Sequence, residues 1–417
     1  MRAGTRALGI LVPLLLLLCS CSSAPVLTHR DTRPTSADWP TIAAANSCAT
    51  GSPSEWVGCL DKANPRFGRI PVSYLALPGS ENAGTFNLDP FAFVNQRGSE
   101  CTTLNSGLPV TGARADRFST TQDQSIVQQL SDGVRWIDLQ VGYNGDGNPL
   151  AGWRVTQNLY SSWPLLEYLD QVANWAALHP TEVVFVDVAS ICYDHQPTDA
   201  IDRGLWANFA TKSSHNAGPL TLADVAVAPP RNKSLAASTL SELRKAGRNV
   251  VVLIPSDAKD SSVLTQKYHV DAVRTTPVAN RAGTTQLFRS DPRIAPTSPP
   301  WYPDANSLLK AASKGPPQLG SLHGKGLYVS KLAYELKGAS AISQGQIFRG
   351  FVGLVANYGI FPAWMSGLWS GDYDHILSTW GTGTNVVIAN GVERGGFVNA
   401  GVGLNGRKLL TPVFYNC

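Results

Sequence analysis

The chain has 417 residues, 43% hydrophobic and 15% charged, with a formal net charge of +4. That is enough apolar material for one large core or two smaller ones, and it excludes a disordered chain. The small net charge, without a dense Lys/Arg run or an aromatic ladder, excludes a nucleic-acid surface.

Arg2 and Arg6 precede an apolar segment at residues 7–18. It is short for a membrane-spanning helix and right for the apolar core of a signal peptide, so the chain is expected to be exported. Leu18-Cys19-Ser20-Cys21 has the form of a bacterial lipobox. Residues 1–20 therefore read as a lipoprotein signal peptide, with Cys21 as the acylated residue anchoring the protein to a membrane or envelope face. Cleavage after Ala24 is the alternative, but Pro25 makes that bond a poor site. Cys48, Cys59, Cys101, Cys192 and Cys417 remain, in an oxidising compartment. Cys48 and Cys59 are close enough to staple a short loop, and one further pair is expected among the other three, with its connectivity open. No C-x-x-C or H-x-x-x-H spacing points to zinc.

Residues 21–45, rich in Ser, Thr, Pro and Asp, read as a flexible tether, leaving 46–417 as the folded domain. An apolar run from Val72 reads as the first strand, over 72–78, broken by Pro78-Gly79 so that Ser80 to Asn82 emerge into a loop. A polar stretch at 87–121 reads as a loop over the site. The apolar spacing at 121–130 predicts a helix with a glycine stop at Gly133. Residues 134–143 predict a second strand in which Trp136, Asp138 and Gln140 share one face. After the Asp146-Gly147 turn, 149–155 reads as a third strand and 163–178 as a helix. The apolar run at 183–188, interrupted by Asp187, has the pattern of a parallel strand covered on both faces. Helix-then-strand order recurs at 240–246 and 249–255, and further elements read at 327–332, 386–389 and 397–404. Residues 291–303, rich in Pro, read as a long loop. Alternation over this length predicts an α/β fold, with a closed (β/α)8 TIM-type barrel as the best single solution.

The segment Leu75-Ala76-Leu77-Pro78-Gly79-Ser80-Glu81-Asn82-Ala83 resembles the first strand of the phosphatidylinositol-specific phospholipase C X-domain family, a hydrophobic strand followed by Pro-Gly-Thr/Ser-His-Asp/Asn. Asp123 to Leu130 with Gly133-Val134-Arg135-Trp136-Ile137-Asp138 is similar to its helix and second strand. His179-Pro180-Thr181-Glu182 leading to Asp187, and Thr239 to Val252, are similar to the fourth and fifth. The resemblance implies a PLC-like phosphodiesterase barrel, a phosphoric diester hydrolase in which two histidines shuttle protons while the substrate's own hydroxyl attacks the phosphate.

On that pattern the site comprises Glu81, Asp138, Gln140, Asp187 and Asn390 in the catalytic positions, with Asn82, Arg135, Ala151 and Gly152 beside the substrate. The first histidine of the family is Glu81 here, and the second, in a His-Gly pair, falls on Ala151-Gly152. Gln140 stands for the family's arginine or calcium-binding acid, and Asn390 for the aspartate that orients the first histidine. An asparagine beside Glu81 avoids the repulsion of two carboxylates. The usual shuttle is therefore expected to be lost, leaving a divergent or inactive enzyme. Either no cofactor is expected, or Ca2+ held by Asn82 and Asp138 near Glu81. The expected partners are the membrane, through the lipid anchor, and a phospholipid or glycolipid headgroup; a monomer is expected. Non-catalytic binding of an inositol- or sugar-bearing envelope lipid is one alternative. A glycerophosphodiester phosphodiesterase-like hydrolase, echoed in Glu81-Asn82, is another. His323 is the one histidine read as able to enter the site, and Trp364, Trp369, Tyr373 and Trp380 read as core packing ahead of the alternative, a rim that touches lipid or sugar.

Overall fold

The computed structural model describes residues 36–94, 119–145, 147–193, 199–213, 220–227, 235–254, 385–389, 391–392 and 397–407, with short pieces at 116, 218, 288–289, 327 and 329–332. Seven of its strands lie parallel: β1 (Leu77–Ser80), β3 (Trp136–Tyr143), β6 (Val184–Tyr193), β7 (Val250–Ile254), β8 (Phe288–Arg289), β9 (Val329–Leu332) and β10 (Val386–Ala389). Their spatial order is β9-β10-β1-β3-β6-β7-β8. An open doubly wound sheet reverses its order at a switch point. Here the order follows the chain and brings the last strand beside the first, which is the connectivity of a TIM-type barrel. The fold is α/β and of that type.

The first strand starts later than its apolar run. Val72–Tyr74 is a turn of 3-10 helix, because Pro71 opens a tight turn in which the Tyr74 amide donates to the Pro71 carbonyl at 2.9 Å. Pro78 and Gly79 then lie inside β1 rather than breaking it. The Pro78 carbonyl accepts from the Arg135 amide at 2.8 Å. A Cβ at Gly79 would come within 2.8 Å of both Trp136 and Ile388, so glycine sets how closely three strands approach.

Residues 149–155 were expected to supply a third barrel strand. Instead β4 (Trp153–Gln157) runs antiparallel to the end of β3, and β5 (Leu159–Pro164) and β2 (Leu88–Phe93) extend this branch. Gly145 and Gly147, at φ 77 and 81, close a short turn; a parallel crossover needs a dozen or more residues, so this link makes a hairpin. β2 also lies within the stretch expected to be loop. The predicted helix at 121–130 begins later, at Ile126, where Ser125 and Gln128 form a capping box, and it stops at Gly133 with φ 106.

Helix α1 (Ile42–Gly51) begins inside the range read as tether, capped by the Thr41 hydroxyl, which accepts from the Ala44 amide at 3.2 Å. The disulfide Cys48–Cys59 ties it to α2 (Trp56–Ala63), as the sequence spacing indicated, and Cys192 is also disulfide-bonded. α1 packs on the C-terminal helix Phe397–Arg407, where a Cβ at Gly406 would meet Ala45 at 2.7 Å.

Buried on the helix Leu165–Leu178, Asp170 accepts from the Ser213 amide at 2.6 Å with Glu167 close by. Burial raises its pKa most, the Ser213 amide opposes that, and the Glu167 charge adds to it. The folded state thus holds the Asp170 proton to higher pH than the unfolded chain, so this group's contribution to stability falls as pH rises above the ordinary carboxylate range. Asp170→Asn keeps an acceptor for Ser213 and should raise Tm at pH 7 by about 1–2 °C. Thermal melts at pH 7 and pH 4 check this: the gap should shrink at the lower pH, and a lower Tm at pH 7 would contradict it.

Candidate functional site

The two faces of β3 are fixed by their neighbours. Arg135, just before it, packs its guanidinium 4.8 Å from the Trp175 ring centroid on the outer helix and 5.7 Å from that of Trp56 in α2. Alternation then turns Trp136, Asp138 and Gln140 to the barrel interior. Trp136 stacks on Phe185 at 5.5 Å, and one step further along the strands Asp138 is in register with Asp187. The register slips between Leu139 and Gln140, so Ala189 bulges and Ser190, rather than Ala189, pairs with Gln140. Bulges of this kind re-aim side chains beside functional sites.

β1 ends at Ser80, and Glu81 to Gly84 form a turn whose strain is concentrated at Asn82, with φ 46. Asp138 holds this turn twice: its carboxylate accepts from the Asn82 amide at 3.1 Å and its carbonyl from the Ala83 amide at 2.8 Å. From the other side Thr121 and Gln122 donate to the Glu81 carbonyl at 3.0 and 2.9 Å. Gln122 accepts in turn from the Val392 amide at 3.3 Å, and the Thr121 carbonyl from Gly391 at 2.8 Å. A strap at 119–122 and the segment after β10 therefore fix the turn. Glu81, Asn82, Asp138 and Asp187 are all buried. Sequence reasoning missed Thr121 and Gln122, because a polar residue in a loop carries no local sign of what it will clasp.

The structure brings Glu81, Asn82, Asp138, Gln140 and Asp187 to one end of the barrel. Arg135 is not with them: it faces outward and pairs with Glu182 at 2.6 Å, so the substrate contact expected of it is corrected to a structural one. Nor are Ala151 and Gly152. The Gly152 carbonyl accepts from the Asn144 amide at 3.0 Å, at the far end of the hairpin. Asn144 is six residues beyond Asp138, roughly 20 Å at strand rise. Asn390, His323 and the aromatic group Trp364, Trp369, Tyr373 and Trp380 lie outside the described residues. His179 is stacked on Trp175 at 4.0 Å and bonded to the Trp175 carbonyl at 2.7 Å, so it is part of the helix end.

The calcium expectation meets a poor fit. Calcium takes six to eight oxygens. Among the described residues Asn82 Oδ1 has no hydrogen-bond partner, but one Asp138 oxygen is already engaged by the Asn82 amide. Among the described residues no group of three or more His, Cys, Asp or Glu side chains is arranged to hold a metal ion.

No family model matches the chain. It is 27% identical over 148 residues to PI-PLC X domain-containing protein 1 of Mus musculus, a match covering 35% of this chain and 42% of that protein. To PI-PLC X domain-containing protein 3 of Danio rerio it is 30% identical over 122 residues, 28% of this chain and 37% of that protein. The match thus spans less than half the length of these relatives. Among solved structures it is similar to the phosphatidylinositol-specific phospholipase C of Listeria monocytogenes, with a TM-score of 0.47 and 14% identity over 85% of this chain and 98% of that one. In sequence the chain is thus similar to part of the PI-PLC X domain-containing proteins, and its strand order is that of a TIM-type barrel.

Proposed function

We propose that this is an exported lipoprotein, anchored through Cys21, whose barrel binds the polyhydroxylated headgroup of an envelope phospholipid or glycolipid without the two-histidine proton relay. The observation that carries this reading is the turn after β1. Where the family pattern has a histidine stands Glu81, in a buried turn that Asp138, Thr121 and Gln122 hold in one conformation. Such a turn is preorganised for binding. The burial of Glu81 also favours a second reading, a hydrolase in which its carboxylate serves as the base.

Co-sedimentation with phosphatidylinositol vesicles, against phosphatidylcholine vesicles and with free myo-inositol as competitor, tests the binding reading. Preferential retention displaced by inositol is expected. Equal retention on both vesicles, unaffected by inositol, would sink it.

A further inference from the structure

The hairpin branch carries a second group of polar side chains, away from the turn after β1. Arg154 of β4 is in register with Gly142, four residues beyond Asp138 and so roughly 13 Å further along β3. Its Nη1 donates to the Ser161 and Ser162 carbonyls of β5 at 3.0 and 2.7 Å, which fixes the guanidinium against that strand. Among the described residues the ion pairs are Arg135–Glu182 and Arg244–Asp61, and Arg154 is in neither.

Arg154 also pairs with Pro164, the residue that opens the helix Leu165–Leu178. This helix runs for 14 residues, yet no side chain caps its N-terminus, where unpaired amides concentrate positive charge. The acidic residue of its first turn, Glu167, is bonded to the Ser213 hydroxyl. Tyr168 follows and is fully buried. Its ring packs against those of Phe86 and Trp163, with centroids 5.6 and 5.9 Å away. Trp163 is 42% exposed, so this aromatic group reaches the surface. Asn87 comes directly after Phe86, and it and Ser161 lie beside the Tyr168 hydroxyl, within the field of Arg154. Burial raises the Tyr168 pKa by more than Ser161, Asn87 and Arg154 lower it, so the hydroxyl keeps its proton.

Arg154 Nε, Asn87 Nδ2 and the Tyr168 hydroxyl are all buried, and among the described residues none of the three atoms has a hydrogen-bond partner. Asn87 and Ser161 approach the hydroxyl without the geometry of a bond, and the Ser161 hydroxyl donates instead to the Trp163 carbonyl at 2.7 Å. Buried donors left unmatched are costly, and groups kept so in a native protein call for an explanation. Arg154 Nε and Asn87 Nδ2 can only donate. The group therefore lacks an acceptor, and the guanidinium and the helix terminus beside it both favour a negative one.

We infer that Arg154, Asn87 and Tyr168, at the start of the helix Leu165–Leu178, form a binding site for a phosphate group. A tetrahedral oxyanion presents acceptors in several directions at once, which suits donors arriving from β4, from the segment after β1 and from the helix. The phosphate is that of a lipid headgroup or the free ion. The site does not depend on what the turn after β1 binds.

Tyr168→Phe removes one donor and keeps the ring, and Arg154→Gln removes the charge. Calorimetric titration with inorganic phosphate in chloride buffer should show binding by wild type that weakens about 10-fold or more in each variant. Without phosphate, Tyr168→Phe should melt at or above the Tm of wild type, because the hydroxyl has no partner in the fold. Phosphate should then raise the Tm of wild type more than that of the variant. Co-sedimentation with phosphatidic acid vesicles, against phosphatidylcholine vesicles, separates the two sources. Retention that both variants lose assigns a lipid phosphate, and phosphate binding without such retention assigns the free ion; the site stands in either case. Wild type that binds neither phosphate nor phosphatidic acid would overturn the inference, as would equal phosphate affinity in wild type and Tyr168→Phe. A lowered Tm of Tyr168→Phe without phosphate would return the hydroxyl to the fold and overturn it equally.

Discussion

Glu182→Ala is expected to destabilise the protein by about 3–5 kcal/mol, the cost of leaving a buried charge without its partner. Arg135 and Glu182 are fully buried. Arg135 reaches one Glu182 oxygen through Nε at 2.8 Å and Nη2 at 2.6 Å. Its remaining donors go to carbonyls, with Nη1 to Leu130 at 2.9 Å and Val134 at 2.7 Å, and Nη2 to Ser54 at 2.7 Å. The same carboxylate accepts from the amides of Val57 and Gly58, at 3.2 and 2.9 Å, in the first turn of α2. Those amides have no partner within the helix, so Glu182 caps α2 while neutralising Arg135. Desolvation pulls the Arg135 pKa below its ordinary value and Glu182 pushes it back, so removing Glu182 leaves only the unfavourable part. Glu182→Gln, which can still accept from α2, should lose less. Urea titration of both variants checks this, and a loss below about 1 kcal/mol for the alanine variant would show that the pair is not needed.

Phosphatidylinositol turnover should fall at least ~10⁴-fold below that expected of a barrel with both histidines, since general acid and base contribute about 10² to 10⁴ each. Glu81 replaces one, and Ala151, at the position of the other, can move no proton. Headgroup release should therefore be the same in wild type and Glu81→Ala, and Glu81→His alone should not restore it. Should release in wild type be measurable and vanish in Glu81→Ala, Glu81 is a base and the hydrolase reading prevails.

Much of the barrel was legible because parallel strands buried on both faces leave apolar runs. The run at 183–188 became β6, and 386–389 matched β10. The face of Trp136, Asp138 and Gln140 was legible from the two-residue period. The same rule turns Arg135 away, although the family pattern had drawn it into the site. The hairpin after β3 was misread because β-periodicity does not tell parallel from antiparallel; the length of the intervening turn does. The strap residues Thr121 and Gln122 could not be found from sequence. Their role depends on the distant Glu81 carbonyl that they clasp, which leaves no local trace.

β1 owes its position to residues far downstream of it in the chain. The Asn405 side chain takes both the amide and the carbonyl of Ala76 at 2.9 Å, 329 residues away in sequence, and Asn385 holds the carbonyls of Val72 and Leu75. β10 supplies one of the two strands that flank β1. A growing chain therefore cannot seat its first strand until the helix Phe397–Arg407 has emerged. Contacts so distant along the chain slow folding and prolong the exposure of unpaired edges, so the barrel must close late and nearly all at once.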